Sequence, residues 1–172
     1  MSAALPERVD VARQVQGRRV YSGTLPFSSM SRLRDALATP QGEARYHVEF
    51  DKDALGIAYL QLRVEAGLPL LCQRTLEVFA LPVVIDERLG LIAREEDEAG
   101  LPGGYEPLLV ADGSIDLAAV IEDELILAVP VVPTRPGVPL DWVDPSAAAD
   151  EAPAPANPFA ALAGLKDKAG AK

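Results

Sequence analysis

The feature that most constrains this chain is a change of period at Glu43. Beyond it apolar residues fall on alternate positions, as they do when an extended chain points side chains to two faces in turn. Tyr46, Val48 and Phe50 interleave with Arg45, His47 and Glu49, and Ile57 to Val64 alternates again. Asp51-Lys52-Asp53-Ala54 and Ala66-Gly67-Leu68-Pro69 read as turns. Leu70 to Phe79 then forms a third strand, and Val83–Ile85 with Leu89–Ala93 supply more. Arg18 to Leu25 and Tyr105 to Val110 also have strand composition. Consecutive strands on short loops pair antiparallel. The expected fold is therefore α+β, around an antiparallel sheet of about five to seven strands, barrel-like in the limit, with a polar face that is wet or partner-bound.

Two main helices should cover the sheet. Over 28–38, serines can cap a first turn while Met30, Leu33 and Leu37 share a face. Over 116–129, Asp116 suits both the free amides and the positive end of a helix, and Leu117, Val120, Ile121 and Leu125 recur at helical spacing. Glu122, Asp123 and Glu124 are expected on its opposite, solvated side. Val9, Ala12 and Val15 suggest a further turn or two near the N-terminus. Arg94 to Gly104 reads as an acidic loop.

The domain is expected to span 1–144. Residues 145–156 are Pro, Ala, Ser, Asp and Glu with no large apolar side chain, the composition of a flexible linker. In 157–172, Asn157-Pro158 is a helix start, and Phe159, Leu162 and Leu165 form a stripe too short to be stable alone. That stripe is expected to dock on something.

Chemistry is sparse. Cys72 is the only cysteine, so no intrachain disulfide can form, and no apolar run approaches the ~20 residues of a membrane span. A cytoplasmic protein without membrane contact is expected. His47 is the only histidine and sits in an alternating strand with no evident nucleophile beside it. Cys72 reads as a small buried hydrophobe more readily than as a thiol nucleophile. Gly100 to Gly104 has glycines but no following lysine, the wrong charge for phosphate. The Glu122-Asp123-Glu124 carboxylates diverge around a helix and do not converge on a metal. No catalytic residue, cofactor, metal or small-molecule substrate is expected.

With 16 basic and 26 acidic side chains the chain carries a net charge of −10, which opposes polyphosphate at long range. A basic protein is the better partner, met by Glu122, Asp123, Glu124, Phe159, Leu162 and Leu165. The alternative is direct RNA contact through Arg18, Arg19, Arg45, Arg63 and Arg74, with Tyr46, Phe50 and Tyr59 in the same strands.

The run from Ile115 to Pro133, with its Asp116-Leu117 start, Glu122-Asp123-Glu124 centre and apolar end, resembles the signature of the YceD (DUF177) family. Tyr105-Glu106-Pro107 and the closing Asn157–Lys166 segment resemble that family too, so the likeness covers about Arg18 to Lys168. The resemblance implies a role in accumulation or processing of large-subunit ribosomal RNA, with a ribosomal protein or an assembling large-subunit particle as partner. It supplies no catalytic residues. Family genes commonly adjoin the gene of a small zinc-ribbon ribosomal protein. Many members carry Cys-x-x-Cys in the third strand, and some add a His or Cys after the Pro-Val-Val-Pro run. Here those places read Cys72-Gln73-Arg74-Thr75 and Thr134-Arg135-Pro136-Gly137, so no bound zinc is expected.

Overall fold

The computed structural model describes residues 5–137. The chain divides into two compact units, Met1–Pro136 and Gly137–Lys172, and the elements described all belong to the first. The linker expected at 145–156 and the segment at 157–172 lie outside the described residues.

The alternation from Glu43 does what its period requires. In β3 (Glu43–Lys52), Ala44, Tyr46, Val48 and Phe50 are buried while Arg45 and Glu49 are exposed. β4 (Ala58–Leu71) repeats this with Leu60, Leu62 and Val64, and β5 (Val78–Ile92) with Val83, Ile85 and Leu89. With β2 (Val20–Pro26) and β6 (Glu106–Leu109) they form one sheet in the order β2-β3-β4-β5-β6. A two-residue β1 (Val9–Asp10) pairs separately with β7 (Ser114–Ile115).

Three features of the sheet differ from the sequence expectation. The sheet is open, with β2 and β6 as its edges, and does not close into a barrel. It is not wholly antiparallel either. The acidic segment folds into a 3-10 helix (Glu95–Gly100), and the long return lets β6 run parallel to β5. The expected turn at Ala66–Pro69 stays in β4, opposite Val83, Pro82, Leu81 and Ala80. β3 reaches β4 only as far as Ala66, so Pro69 sits where that side of the strand has no ladder bond to lose. The hairpin turns later, at Cys72–Glu77, where the Cys72 amide donates to the Glu77 carbonyl and Leu76 takes φ 57°.

Among the described residues, only one face of the sheet is covered. α3 (Leu117–Leu127), capped by the Asp116 carboxylate on the Ala118 and Ala119 amides, buries Leu117, Val120, Ile121 and Leu125. α1 (Val11–Gln16), capped by Asp10, adds Val11 and Val15. The helix expected at 28–38 is reduced to a 3-10 turn (Phe27–Ser29) and the single turn α2 (Ser31–Arg34). Beyond Arg34 the chain tightens into three-residue turns, and Ala38 donates its amide to the Pro69 carbonyl instead of continuing the helix. Met30 and Leu33 are nonetheless buried and Leu37 is partly buried against the core, so the apolar stripe still faces inward without the full helix.

Candidate functional site

Successive helix residues are turned by ~100° from one another, so the three carboxylates at 122–124 on α3 point in different directions. Glu122 does not lie on the solvated side. It is 8% exposed, and its Oε1 accepts the backbone amides of Arg32 at 2.7 Å and Leu33 at 3.0 Å. Its Oε2 accepts the Arg32 guanidinium at 3.2 Å. Burial pushes this carboxyl up, but the two amides and the guanidinium outweigh it and hold it below its ordinary range. Glu122 therefore caps α2 in trans, a role invisible to local spacing because its partners are about ninety residues away. Asp123 is half exposed and pairs with the same Arg32.

Glu124 looks elsewhere. It lines a groove of about 800 Å³ between α3 and the β5–β6 side of the sheet. Glu87 from β5 and Glu106 from β6 line it too, with Leu108 and Leu127 as apolar wall and the Val84 position at its strand-edge rim. Leu127 is 78% exposed and Val84 77% exposed. Half-burial, then the neighbouring Glu87, Asp123 and Glu106, push the Glu124 carboxyl up to about 7. The acidic groove is thus built from three elements, and two of its members, Glu87 and Glu106, were not singled out by sequence. Glu106 stood within the Tyr105-Glu106-Pro107 motif, but nothing local marked it as Glu124's neighbour.

The opposite, uncovered face is polar and of mixed sign. Cross-strand register sets Ser22, His47, Arg63 and Asp86 in one row, and Thr24, Arg45, Glu65 and Val84 in the next. The Ser22 hydroxyl and His47 Nδ1 are 2.9 Å apart, a cross-strand neighbour that the linear sequence hid. Arg63 is matched by Asp86 at 3.1 Å. Arg88 lies over Tyr59 at 4.8 Å and Tyr105 at 5.5 Å, while the Tyr105 hydroxyl donates to Asp53 at 2.8 Å.

The five arginines expected to share an RNA surface do not form one patch. Arg45 and Arg63 sit near each other on the open face, lining a depression with His47. Arg18 and Arg19 lie in the turn before β2, at the end of that strand remote from Thr24↔Arg45, and Arg18 pairs with Asp51. Arg74 belongs to the hairpin turn beyond Leu71↔Val78. Phe159, Leu162 and Leu165 lie outside the described residues.

Cys72 is fully buried, yet it sits in that hairpin turn and not in a strand. The chain after α3 comes back to meet it: the Gln73 amide donates to the Pro133 carbonyl, and the Arg135 amide reaches the Cys72 sulfur at 3.4 Å. The Thr75 hydroxyl, then the Arg135 and Thr75 amides, hold this thiol down to about 6. Thus the Cys72–Thr75 and Thr134–Gly137 segments do adjoin, but they offer one sulfur, threonine and arginine. That set does not fit tetrahedral zinc. Among the described residues no group of three or more His, Cys, Asp or Glu could hold a metal, and no helix is long and apolar enough to cross a membrane.

Fold and surface together define an acidic α+β protein in which Glu87, Glu106 and Glu124 line a groove beside α3. The family model of the large ribosomal RNA subunit accumulation protein YceD matches residues 60–166, which include the Ile115–Pro133 run. A Haemophilus influenzae protein of that name is 30% identical over 172 residues, covering 95% of this chain and 97% of the relative. The chain belongs to the YceD family. No solved structure matches it.

Proposed function

We propose that this chain is a non-catalytic, cytoplasmic accessory factor in the accumulation of large-subunit ribosomal RNA, and that it acts by binding a basic ribosomal protein or an assembling large-subunit particle. The relative named for that process supports the first part. The observation that carries the second is the groove that Glu87, Glu106 and Glu124 line beside exposed Leu127, on a chain of net charge −10. Such a surface steers cationic partners and repels phosphate. The Phe159-Leu162-Leu165 stripe is a second contact in this reading, inserting as a short helix into a groove of the partner.

Capture from growing cells, with recovered proteins and RNA both identified, tests it. Recovery of basic large-subunit proteins that survives nuclease treatment supports it; recovery that disappears with the RNA overturns it.

Direct RNA binding is the second reading, favoured by Arg45, His47 and Arg63 in one depression and by Arg88 between Tyr59 and Tyr105. Glu49, Glu65 and Asp86 interleave with those arginines and lower the net positive charge of that face. Affinity of the isolated chain for ribosomal RNA across salt separates the two: a steep slope belongs to RNA contact.

A further inference from the structure

β5 pairs with β4 from Val78 to Gly90, but β6 covers its other side only from Leu89 to Ile92. From Val78 to Arg88 that outer edge carries no strand among the described residues. Outward N–H and C=O groups of such an edge are a template on which another extended chain can pair. Pro82 sits within this stretch, as a proline can where one side of a strand has no ladder to complete. The groove bearing Glu87, Glu106 and Glu124 lies along this edge, since Val83 to Glu87 contribute to its lining.

We propose that an extended, basic segment of a partner protein adds as a strand to the β5 edge at Val83–Arg88, setting cationic side chains against Glu87, Glu106 and Glu124 and apolar ones against Leu127. This rests on the protein-binding reading above and names its site. Charge complementarity selects the occupant. A second copy of this chain would bring the same carboxylates face to face, and a nucleic acid would bring phosphates to them. Residues 138–165 of the chain itself contain Asp141, Asp144, Asp150 and Glu151 and no lysine or arginine, and 166–172, which carry Lys166, Lys168 and Lys172, have no β-branched or large apolar residue to favour a strand. Half-burial, then the anionic neighbours Glu87, Asp123 and Glu106, keep the proton on Glu124 up to about 7, so an arriving ammonium or guanidinium group would relieve the part of this that is repulsion.

The experiment is amide hydrogen exchange read by NMR on the full chain, with a synthetic peptide of alternating Lys and Val as probe and its alternating Glu and Val counterpart as control. The Lys-Val peptide is expected to slow exchange of outward amides between Val83 and Arg88, and the Glu-Val peptide to leave them unchanged. Glu87→Gln with Glu106→Gln, which removes repulsion and leaves the fold intact, is expected to weaken peptide binding about tenfold. Binding that protects other amides, or that the double variant leaves unaltered, overturns the proposal. So does protection already present in the free chain, whether it vanishes on deletion of 166–172 (the chain's own tail) or on dilution (a second copy). If the double variant still captures basic ribosomal proteins, the edge site is wrong while the broader function stands. If the peptide protects the edge but no ribosomal protein is captured, the site stands and the broader function falls.

Discussion

Glu122→Ala would remove the one side chain that closes the start of α2. That helix is four residues long, so the amides of Arg32 and Leu33 have no intrahelical partner and depend on Glu122 Oε1. Leu33 is fully buried, and its bared N–H would find no water, at a cost of about 1–3 kcal/mol. The Arg32 amide is only partly buried and would rehydrate, losing about 1 kcal/mol. The ion pair to a guanidinium that is half exposed adds about 0–1 kcal/mol. Together the loss is about 2–5 kcal/mol, read in urea as a lower midpoint at unchanged slope. Glu122→Gln keeps a carbonyl oxygen for both amides and should lose only about half as much. The sign of the pH dependence follows from the depressed carboxyl. Its contribution is complete above the ordinary value of 4.5 and fades as pH falls through the lower folded value, and the Gln variant should flatten that acid limb. A loss below about 0.5 kcal/mol for Glu122→Ala would refute the trans-cap, since that is the range of inert surface changes.

Glu124 has the opposite sign: its raised carboxyl stabilises the fold while protonated, and that contribution is lost as pH rises through about 7. Glu124→Gln should therefore gain about 1–2 kcal/mol over the wild type at alkaline pH, after allowing for the screening of a half-exposed group, and no difference in midpoint would refute it. The Cys72 thiolate should appear in an ultraviolet absorbance titration with a midpoint of about 6, and Thr75→Val should move it toward the ordinary 9.0. Gly42 has φ 113°, and an added Cβ would lie 2.8 Å from the Phe27 ring; Gly42→Ala should lower stability by about 1–3 kcal/mol in thermal or urea unfolding.

The parts of the fold legible in the sequence are those set by period. β3 was readable because Ala44, Tyr46, Val48 and Phe50 all face one covered side, so any other register would expose them. α3 was readable from a cap and a stripe that both lie within the helix. Turns and lengths were less so. Gly67 and Pro69 have turn chemistry, but they occupy a stretch of β4 that β3 does not reach, and there the usual penalty for proline is absent. Leu70–Phe79 has strand composition, yet the chain reverses inside it, because Cys72 and Leu76 close a turn through their backbones. The 28–38 segment has a helical stripe, but a tertiary acceptor, the Pro69 carbonyl, takes the Ala38 amide that a longer helix would have used.

The acidic triplet shows why a site is harder to read than a fold. One charge run of three adjacent residues serves separate ends: Glu122 closes a helix about ninety residues away, Asp123 pins the same arginine at the surface, and Glu124 joins Glu87 and Glu106 in a groove. Sequence gives the angular spread of the three but not what stands opposite each, and the opposite group decides whether a carboxylate is a cap or a contact. Glu122, already committed to three hydrogen bonds, has little left to offer a partner. Glu124, crowded by like charge, has an unmet preference for a cation. In the proposed protein-binding role the functional weight of the motif falls on Glu124 and on the two residues it could not name, while its structural weight falls on Glu122. Variants at the two positions should separate accordingly, with Glu122 moving stability and Glu124 moving partner capture.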